Sequence, residues 1–204
     1  MMKPTRPELP REFVAVHKQR RMIAAIAELS AEQGYEATKI ADVVSRAGVA
    51  RKTLYDNFDG KEDLFLSAFD FYFAEARTSV EVACDSTGGG WQQRIESGLA
   101  ALLRFVADQP AAARMCLVEA LSATPRSSVS YDDAVRAFVE LLKENSPEGE
   151  ISLPETTEES LVGGVAWILH QRIRAGETQK IASLLPELSR FVLSPYLGVT
   201  NSPK

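Results

Sequence analysis

The sequence predicts an all-α protein. Leu, Ile, Val, Phe and Ala recur at intervals of three and four residues along most of the 204-residue chain, which is the spacing of one helix face. No alternation of apolar and polar residues is long enough to predict a strand. Glycine and proline divide the periodic stretches, and a hydrophobic content of 45% suffices for an ordinary core. We therefore expect a small N-terminal domain of three helices and a larger helical domain after it.

The N-terminal part predicts a basic arm followed by three helices. Residues 1–12 contain three prolines and little to anchor them, so we expect a flexible arm. The first helix should run from about Phe13 to Gln33. The second should begin at Thr38, a good N-cap, and stop at Gly48. The third should span roughly Ala50 to Phe58.

The boundary between the two predicted domains, 13–60 and 61–204, lies at a glycine. Lys61 opens a long helix with a wide apolar face, as expected of a helix shared between two packed bodies. Ser86 to Gly90 is predicted to be a linker, because its glycines lack the strand and the Lys-Ser/Thr pair of a phosphate-binding loop. Pro186 and Pro195 predict a first-turn position or a kink in the last helix. The later helices are predicted at Trp91 to Asp108, Pro110 to Ala123, Val129 to Glu144, Glu158 to Ala175 and Ile181 to Leu197.

Several function classes are disfavoured by the residues present. Cys84 and Cys116 stand far apart with no CxxC pair, so we expect neither a disulfide framework nor a metal site. The chain contains two histidines and no GxSxG, HExxH or phosphate loop, so we expect no enzyme and no cofactor. No signal-peptide core or membrane span is recognisable, which leads us to expect a cytoplasmic protein with no membrane partner.

The charge is distributed unevenly. Residues 1–61 carry 11 Lys and Arg against 8 Asp and Glu, a balance of +3, within a chain of net charge -5. The remaining residues therefore carry -8. A basic region on an acidic body suggests local contact with a polyanion, although a solvated surface shows the same imbalance by chance in some proteins.

Two short helices joined by a glycine-containing turn form a helix-turn-helix unit, whose second helix enters a DNA groove. The spacing of Ile40 to Phe58 fits that arrangement. Its apolar residues can meet the first helix, which leaves cationic, hydroxyl and amide groups outside; these groups suit phosphates and base edges. An ordinary three-helix substructure with a basic face remains the alternative. The outward residues are Arg51, Lys52, Thr53, Tyr55 and Asn57.

Many spaced positions of this stretch agree at once with a known pattern. From about residue 15 to 65 the chain closely resembles the DNA-binding domain of the TetR family of transcriptional regulators. Two C-terminal segments, 161–169 and 191–198, resemble family members more loosely. The positions that carry the main resemblance are Thr38, Ile40-Ala41, Ala47-Gly48-Val49, Thr53-Leu54-Tyr55, Phe58 and Lys61-Glu62-x-Leu64.

The resemblance implies DNA contacts residue by residue. Thr38 would cap the second helix and touch a phosphate, with Lys39 beside it near the DNA. Arg51 and Lys52 would open the recognition helix and reach base edges or phosphates. The chain departs from the family at Ala50, where a capping side chain is frequent. The remaining contacts would come from Thr53, Tyr55, Asn57 and Lys61.

The same resemblance implies that the acidic domain forms a homodimer that reads a palindrome in double-stranded DNA. Two apolar stripes beside Gly163-Gly164 could form a four-helix bundle between subunits. The alternative is that they cover the subunit's own core. The predicted interface residues are Val162, Val165, Ala166, Leu169, Ile173, Leu188, Phe191 and Val192.

A small-molecule effector is the remaining implied partner. The favoured interpretation is a homodimeric repressor that an effector releases from its operator; a regulator without an effector, either constitutive repressor or activator, is the alternative. Aromatic and soft side chains are typical of apolar ligand sites, although each alone is more often a core residue. The predicted effector contacts are Trp91, Phe105, Met115, Cys116, Tyr131, Phe138, Trp167 and His170.

Overall fold

The computed structural model describes residues 11–147 and 153–198, and within these ranges all regular structure is helical, as predicted. Two 3₁₀ segments, Glu119–Leu121 and Thr178–Leu184, connect helices of the second domain. No helix in the described part of the chain is long and apolar enough to cross a bilayer. The α-helices are α1 (Arg11–Gln33), α2 (Ile40–Ala47), α3 (Arg51–Tyr55), α4 (Lys61–Asp85), α5 (Trp91–Asp108), α6 (Pro110–Leu117), α7 (Pro125–Asn145), α8 (Thr157–Arg174) and α9 (Leu185–Gly198).

The first core joins the N-terminal helices to part of the second domain. Met22 and Ile26 of α1 are fully buried, together with Leu54 of α3. Met115 of α6 and Ala134 of α7 belong to the same cluster. The α6–α7 corner therefore packs on the N-terminal helices without a separating layer of water.

A second core lies between α5, α8 and α9. Leu103, Leu169 and Leu188, one from each of these helices, are at most 2% exposed. The 3₁₀ segment before α9 contributes the fully buried Ile181. The predicted linker at 86–90 connects α4 to α5, which lets these two helices pack side by side.

Several boundaries differ from those predicted. Helix α1 begins at Arg11, so the last two residues of the predicted arm are helical. Residues 1–10 of that arm lie outside the described residues. Helix α3 ends at Tyr55, three residues early, where the Asn57 side-chain amide donates to the Thr53 carbonyl at 2.7 Å. Such a side-chain bond competes with the helical backbone pattern.

Two prolines lie in the first turn of a helix, Pro125 in place of a predicted break and Pro186 as one of the two predicted alternatives. Helix α7 begins at Pro125, four residues earlier than predicted, because Thr124 and Ser127 exchange hydrogen bonds of 3.0 and 3.1 Å in a capping box. The last predicted helix divides into the 3₁₀ segment and α9, with Pro186 in the first turn of α9. Pro195 lies inside that helix.

Candidate nucleic-acid interface

The turn between α2 and α3 has helix-turn-helix geometry. Only Gly48, Val49 and Ala50 separate the two helices. Gly48 adopts φ 58° and ψ 43°, a left-handed conformation that other residues rarely adopt, and its N–H donates to the Ser45 carbonyl. Leu54 is fully buried beneath the turn, so the opposite face of α3 must point outward.

Cationic and hydroxyl groups occupy the outward face of α3. Arg51 and Lys52 are exposed, and Tyr55 is 48% exposed. The Arg51 guanidinium lies 5.7 Å from the centre of the Tyr55 ring, and its Nη2 is 3.4 Å from the phenol oxygen. These two side chains are thus held together on the face that a DNA groove would meet. Thr53 is half-buried and Asn57 exposed.

The predicted role of Thr38 as the cap of α2 is wrong. Lys39 is the N-cap residue, and no side-chain hydrogen bond caps the helix. The Thr38 hydroxyl instead donates to the Gly34 carbonyl at 2.8 Å and closes the turn after α1. Since Thr38 is 1% exposed, its side chain cannot reach a phosphate in this conformation. Lys39 is exposed and available for one.

Lys61 is engaged inside the protein. Its Nζ donates to the Tyr35 carbonyl at 3.0 Å and to the Glu36 carbonyl at 3.5 Å, and lies 4.0 Å from the centre of the Tyr35 ring. Burial, followed by the charges of Glu62 and Glu36, raises the pKa of the Tyr35 phenol. Lys61 therefore holds the α1–α2 turn, and any phosphate contact would have to share its ammonium group.

Two arginines outside the predicted site connect α1 and α2 through their side chains. Arg46 of α2 forms ion pairs with Glu28 at 3.0 Å and Glu32 at 2.9 Å, both on α1. The hydrogen bond from Arg46 lowers the pKa of the Glu32 carboxyl. Arg21 of α1 donates to backbone carbonyls at the end of α2. Glu28 and Glu32 stand four residues apart on α1, a spacing that could have indicated a pairing with a cation such as Arg46. Nothing in the sequence indicated the backbone acceptors of Arg21.

A cavity of about 180 Å³ lies between α4, α5, α6, α7 and α8. Four of the predicted effector contacts, Phe105, Cys116, Tyr131 and Phe138, line it. None of the described residues that line the cavity carries a formal charge. Burial among apolar side chains, with a smaller effect from the Asp70 charge, raises the pKa of the Cys116 thiol to about 12.

Four other predicted effector contacts do not line the cavity. Trp91 packs edge-on against Tyr196, and Met115 is buried in the first core. Trp167 is 61% exposed on the outside of α8. His170 donates from Nδ1 to the Leu117 carbonyl at 2.8 Å and stacks on Trp167. The helical spacing placed these residues on the right helices, but their side chains point to other neighbours.

Most of the predicted dimer-interface residues are buried within the subunit itself. Between 1% and 7% of each of five members remains exposed, because they fill the subunit's own second core. Val162 and Ala166 are half-buried and line the cavity, together with Val165, Leu169 and Val192. Phe191 is 40% exposed, so it alone of the predicted set offers substantial surface to a partner. The five core residues are Val165, Leu169, Ile173, Leu188 and Val192.

Across residues 11–147 and 153–198, no three His, Cys, Asp or Glu side chains come close enough together to hold an ion.

Comparison with known sequences identifies the first domain. Residues 22–68 match the family described as bacterial regulatory proteins, tetR family. A stretch of 61 residues is 39% identical to YezE, an uncharacterised helix-turn-helix transcriptional regulator of Bacillus subtilis, and covers 30% of this chain and 31% of that protein. A stretch of 79 residues is 33% identical to the transcriptional repressor ComR of Escherichia coli, covering 38% and 35%. The matches span about a third of each relative.

Solved structures extend the likeness to the whole fold. The fatty acid degradation regulator FadR of Bacillus halodurans superposes with a TM-score of 0.78 at 15% identity, covering 92% of this chain and 97% of that one. FadR of Bacillus subtilis, solved with stearoyl-CoA, gives 0.75 at 16% identity, covering 86% and 98%. The helical body after the DNA-binding domain is therefore arranged as in these regulators. The N-terminal domain of the chain therefore matches the tetR family of bacterial regulatory proteins, and the whole chain shares the fold of these regulators.

Proposed function

We propose that this protein is a homodimeric transcriptional repressor that binds a palindromic DNA operator through α3 and leaves it when a small apolar molecule binds. The observation that carries the proposal is the outward face of α3, where Arg51 and Tyr55 are paired beside the exposed Lys52. Cations and hydroxyls are the groups that reach phosphates and base edges. A DNA-binding protein of bacteria would work in the cytoplasm.

Dimerisation is supported by an exposed apolar face on α8 and α9. Trp167 is 61% exposed, Phe191 40% and Leu197 43%. Gly164 contributes by being small, since an added Cβ would lie 2.9 Å from the Phe191 ring. A second subunit on this face would cover these side chains and provide a second α3. Two recognition helices on two half-sites give specificity that one short helix does not.

An apolar effector is supported by the lining of the cavity. Uncharged side chains surround it, and the tyrosine and asparagine groups of Tyr72, Tyr131 and Asn145 offer hydrogen bonds to a neutral polar end. The Bacillus subtilis neighbour was solved with stearoyl-CoA, which is consistent with an aliphatic ligand here. At about 180 Å³ the cavity is smaller than the ~300 Å³ at which ligand sites usually begin, so binding would push its helices apart.

That expansion would reach DNA binding through α4, which both lines the cavity and begins beside the α1–α2 turn. The effector would favour the conformation with the wider cavity and so shift the population away from the DNA-binding one. ComR, the relative named as a repressor, supports repression as the direction of control. A regulator without effector is the second candidate, because the side chains that line the cavity also pack the helices against one another when no ligand is bound.

Selection of bound duplexes from a random DNA pool tests this proposal. We expect a palindrome, bound by a protein dimer, whose affinity falls when aliphatic compounds of increasing chain length are added. Recovery of unrelated sequences would contradict sequence-specific binding. A palindrome with unchanged affinity across the compounds would favour the regulator without effector.

A further inference from the structure

Arg21 connects α1 directly to the helix-turn-helix. Its Nη2 donates to the carbonyl of Ala47, the last residue of α2, and to the carbonyl of Gly48 at 2.7 Å. The partners are 26 and 27 residues away in the chain. One guanidinium on α1 therefore holds both carbonyls at the end of α2, immediately before the recognition helix begins.

These carbonyls are where a positive charge is most effective. The last carbonyls of a helix receive no hydrogen bond from the helix backbone, and they carry the negative end of the helix dipole. The backbone cap of α2 uses the Gly48 N–H, which reaches the Ser45 carbonyl and leaves the Ala47 and Gly48 oxygens free for Arg21. A charged donor makes stronger hydrogen bonds than a neutral one.

Helix α3 depends on this turn for its direction. It spans five residues, and its N-cap, Ala50, offers no side-chain hydrogen bond. Leu54 anchors it from below, but a single buried side chain does not fix the rotation of a short helix. The turn is also closely fitted to Arg21, because a Cβ added to Gly48 would lie 2.6 Å from Arg21 Nη2.

We propose that Arg21 is a positioning residue for DNA recognition, which sets the direction of α3 through the Ala47 and Gly48 carbonyls. The proposal rests on the DNA-binding function proposed above. Its role is distinct from that of Arg51 and Lys52, because its guanidinium is already occupied by the backbone of the turn. Loss of Arg21 should therefore let α3 settle in several directions, most of which fit no base sequence.

A direct contact between Arg21 and a DNA phosphate is the rival explanation, since the residue lies on the surface. The two roles differ in their dependence on salt. A lost phosphate contact weakens binding to all sequences alike and reduces the slope of log affinity against log salt by about one. A misplaced recognition helix lowers the preference for the correct sequence and leaves that slope unchanged.

The experiment compares Arg21→Ala and Arg21→Lys with the unaltered full-length protein. Fluorescence anisotropy measures the affinity of each for the duplex recovered by selection and for a scrambled duplex, between about 50 and 200 mM salt. Arg20→Ala is the matched control, because Arg20 is the adjacent arginine and its guanidinium lies over the Phe71 ring, 5.8 Å from its centre. Thermal unfolding confirms that each variant is folded.

We expect Arg21→Ala to lower the ratio of the two affinities about tenfold, the effect of losing a charge-assisted hydrogen bond, with an unchanged salt slope. Arg21→Lys should restore only part of the ratio, because a single ammonium is poorly shaped to hold two carbonyls. If the alanine variant fails to fold, the affinity ratio of the lysine variant provides the test. An unchanged ratio in both variants would overturn the proposal, as would a slope reduced by about one with the ratio preserved. If the unaltered protein itself prefers no sequence, the proposed function fails instead.

Discussion

A carboxylate oxygen of Glu119 accepts a hydrogen bond from the backbone N–H of Tyr35 at 3.3 Å, across 84 positions of the chain. Lys61 donates to the carbonyl of the same tyrosine. The α1–α2 turn is thus held on one side by the start of α4 and on the other by the segment after α6. Helices α4 and α6 both line the cavity. This turn is the place where the two domains are joined by polar contacts as well as by a common core.

Replacing Glu119 should destabilise the first domain. Glu119→Ala removes the acceptor of the part-buried Tyr35 N–H and the ion-pair partner of Arg114, and an unsatisfied buried donor costs about 1–3 kcal/mol in the free energy of unfolding. We expect a loss of that size in urea titrations. Glu140→Ala is the control, because Glu140 pairs with Lys143 on an exposed face and such pairs contribute roughly 0–1 kcal/mol. Equal effects of the two replacements would show that the bond to Tyr35 has no special role.

Trp167 should dominate the proposed dimer interface. A large exposed aromatic on an apolar face is the typical hot spot of an interface, where truncation to alanine costs about 2 kcal/mol or more and weakens association some thirtyfold. Sedimentation equilibrium of Trp167→Ala measures this change. Val82→Ala provides the comparison, since Val82 is 58% exposed on α4, away from the proposed face. Dissociation by Val82→Ala and not by Trp167→Ala would place the interface elsewhere.

Cys116 should make the protein less stable in alkali. Its pKa in the folded protein is raised to about 12, whereas an exposed thiol ionises near ~8.5. The unfolded chain therefore loses the proton first, so the contribution of this thiol to stability is complete below that lower value and declines as the pH rises through about 9 to 12. Urea titrations at about pH 8 to 10 measure the free energy of unfolding across this range. We expect it to decline less with pH for Cys116→Val than for the unaltered protein. Parallel declines would indicate that the thiol ionises equally readily in both states.

The sequence predicted the features that local rules determine. Gly48 marked the turn because a left-handed residue must stand there, and Leu54 marked the buried face of α3 because it lies at helical spacing from the other apolar residues. The uncapped start at Ala50 was also confirmed. These features depend on residues within a few positions of one another, which is why the pattern was sufficient.

The sequence did not determine which of several possible partners a side chain takes in the folded protein. An apolar stripe on α8 indicates burial, but it does not tell whether another helix of the same subunit or a second subunit covers it. Leu169 is covered by the subunit's own α5 and α9, and Trp167 two positions earlier remains exposed. Thr38 was a plausible cap by type, yet its hydroxyl reaches back to Gly34. The start of α7 at Pro125, four residues before the predicted Val129, depends on the hydrogen bonds that Thr124 and Ser127 exchange.

The outward face of α3 is the proposed DNA-binding surface of this protein. The most direct measurement is the affinity of the double variant Arg51→Ala, Lys52→Ala for the duplex that the unaltered protein selects, with helix content and dimer mass measured alongside. We predict that the double variant loses its preference for that duplex over a scrambled one, while fold and dimer are retained. Each lost base contact should reduce the difference in binding free energy between the two duplexes by about 1–3 kcal/mol. An unchanged preference in a folded dimer would contradict the account.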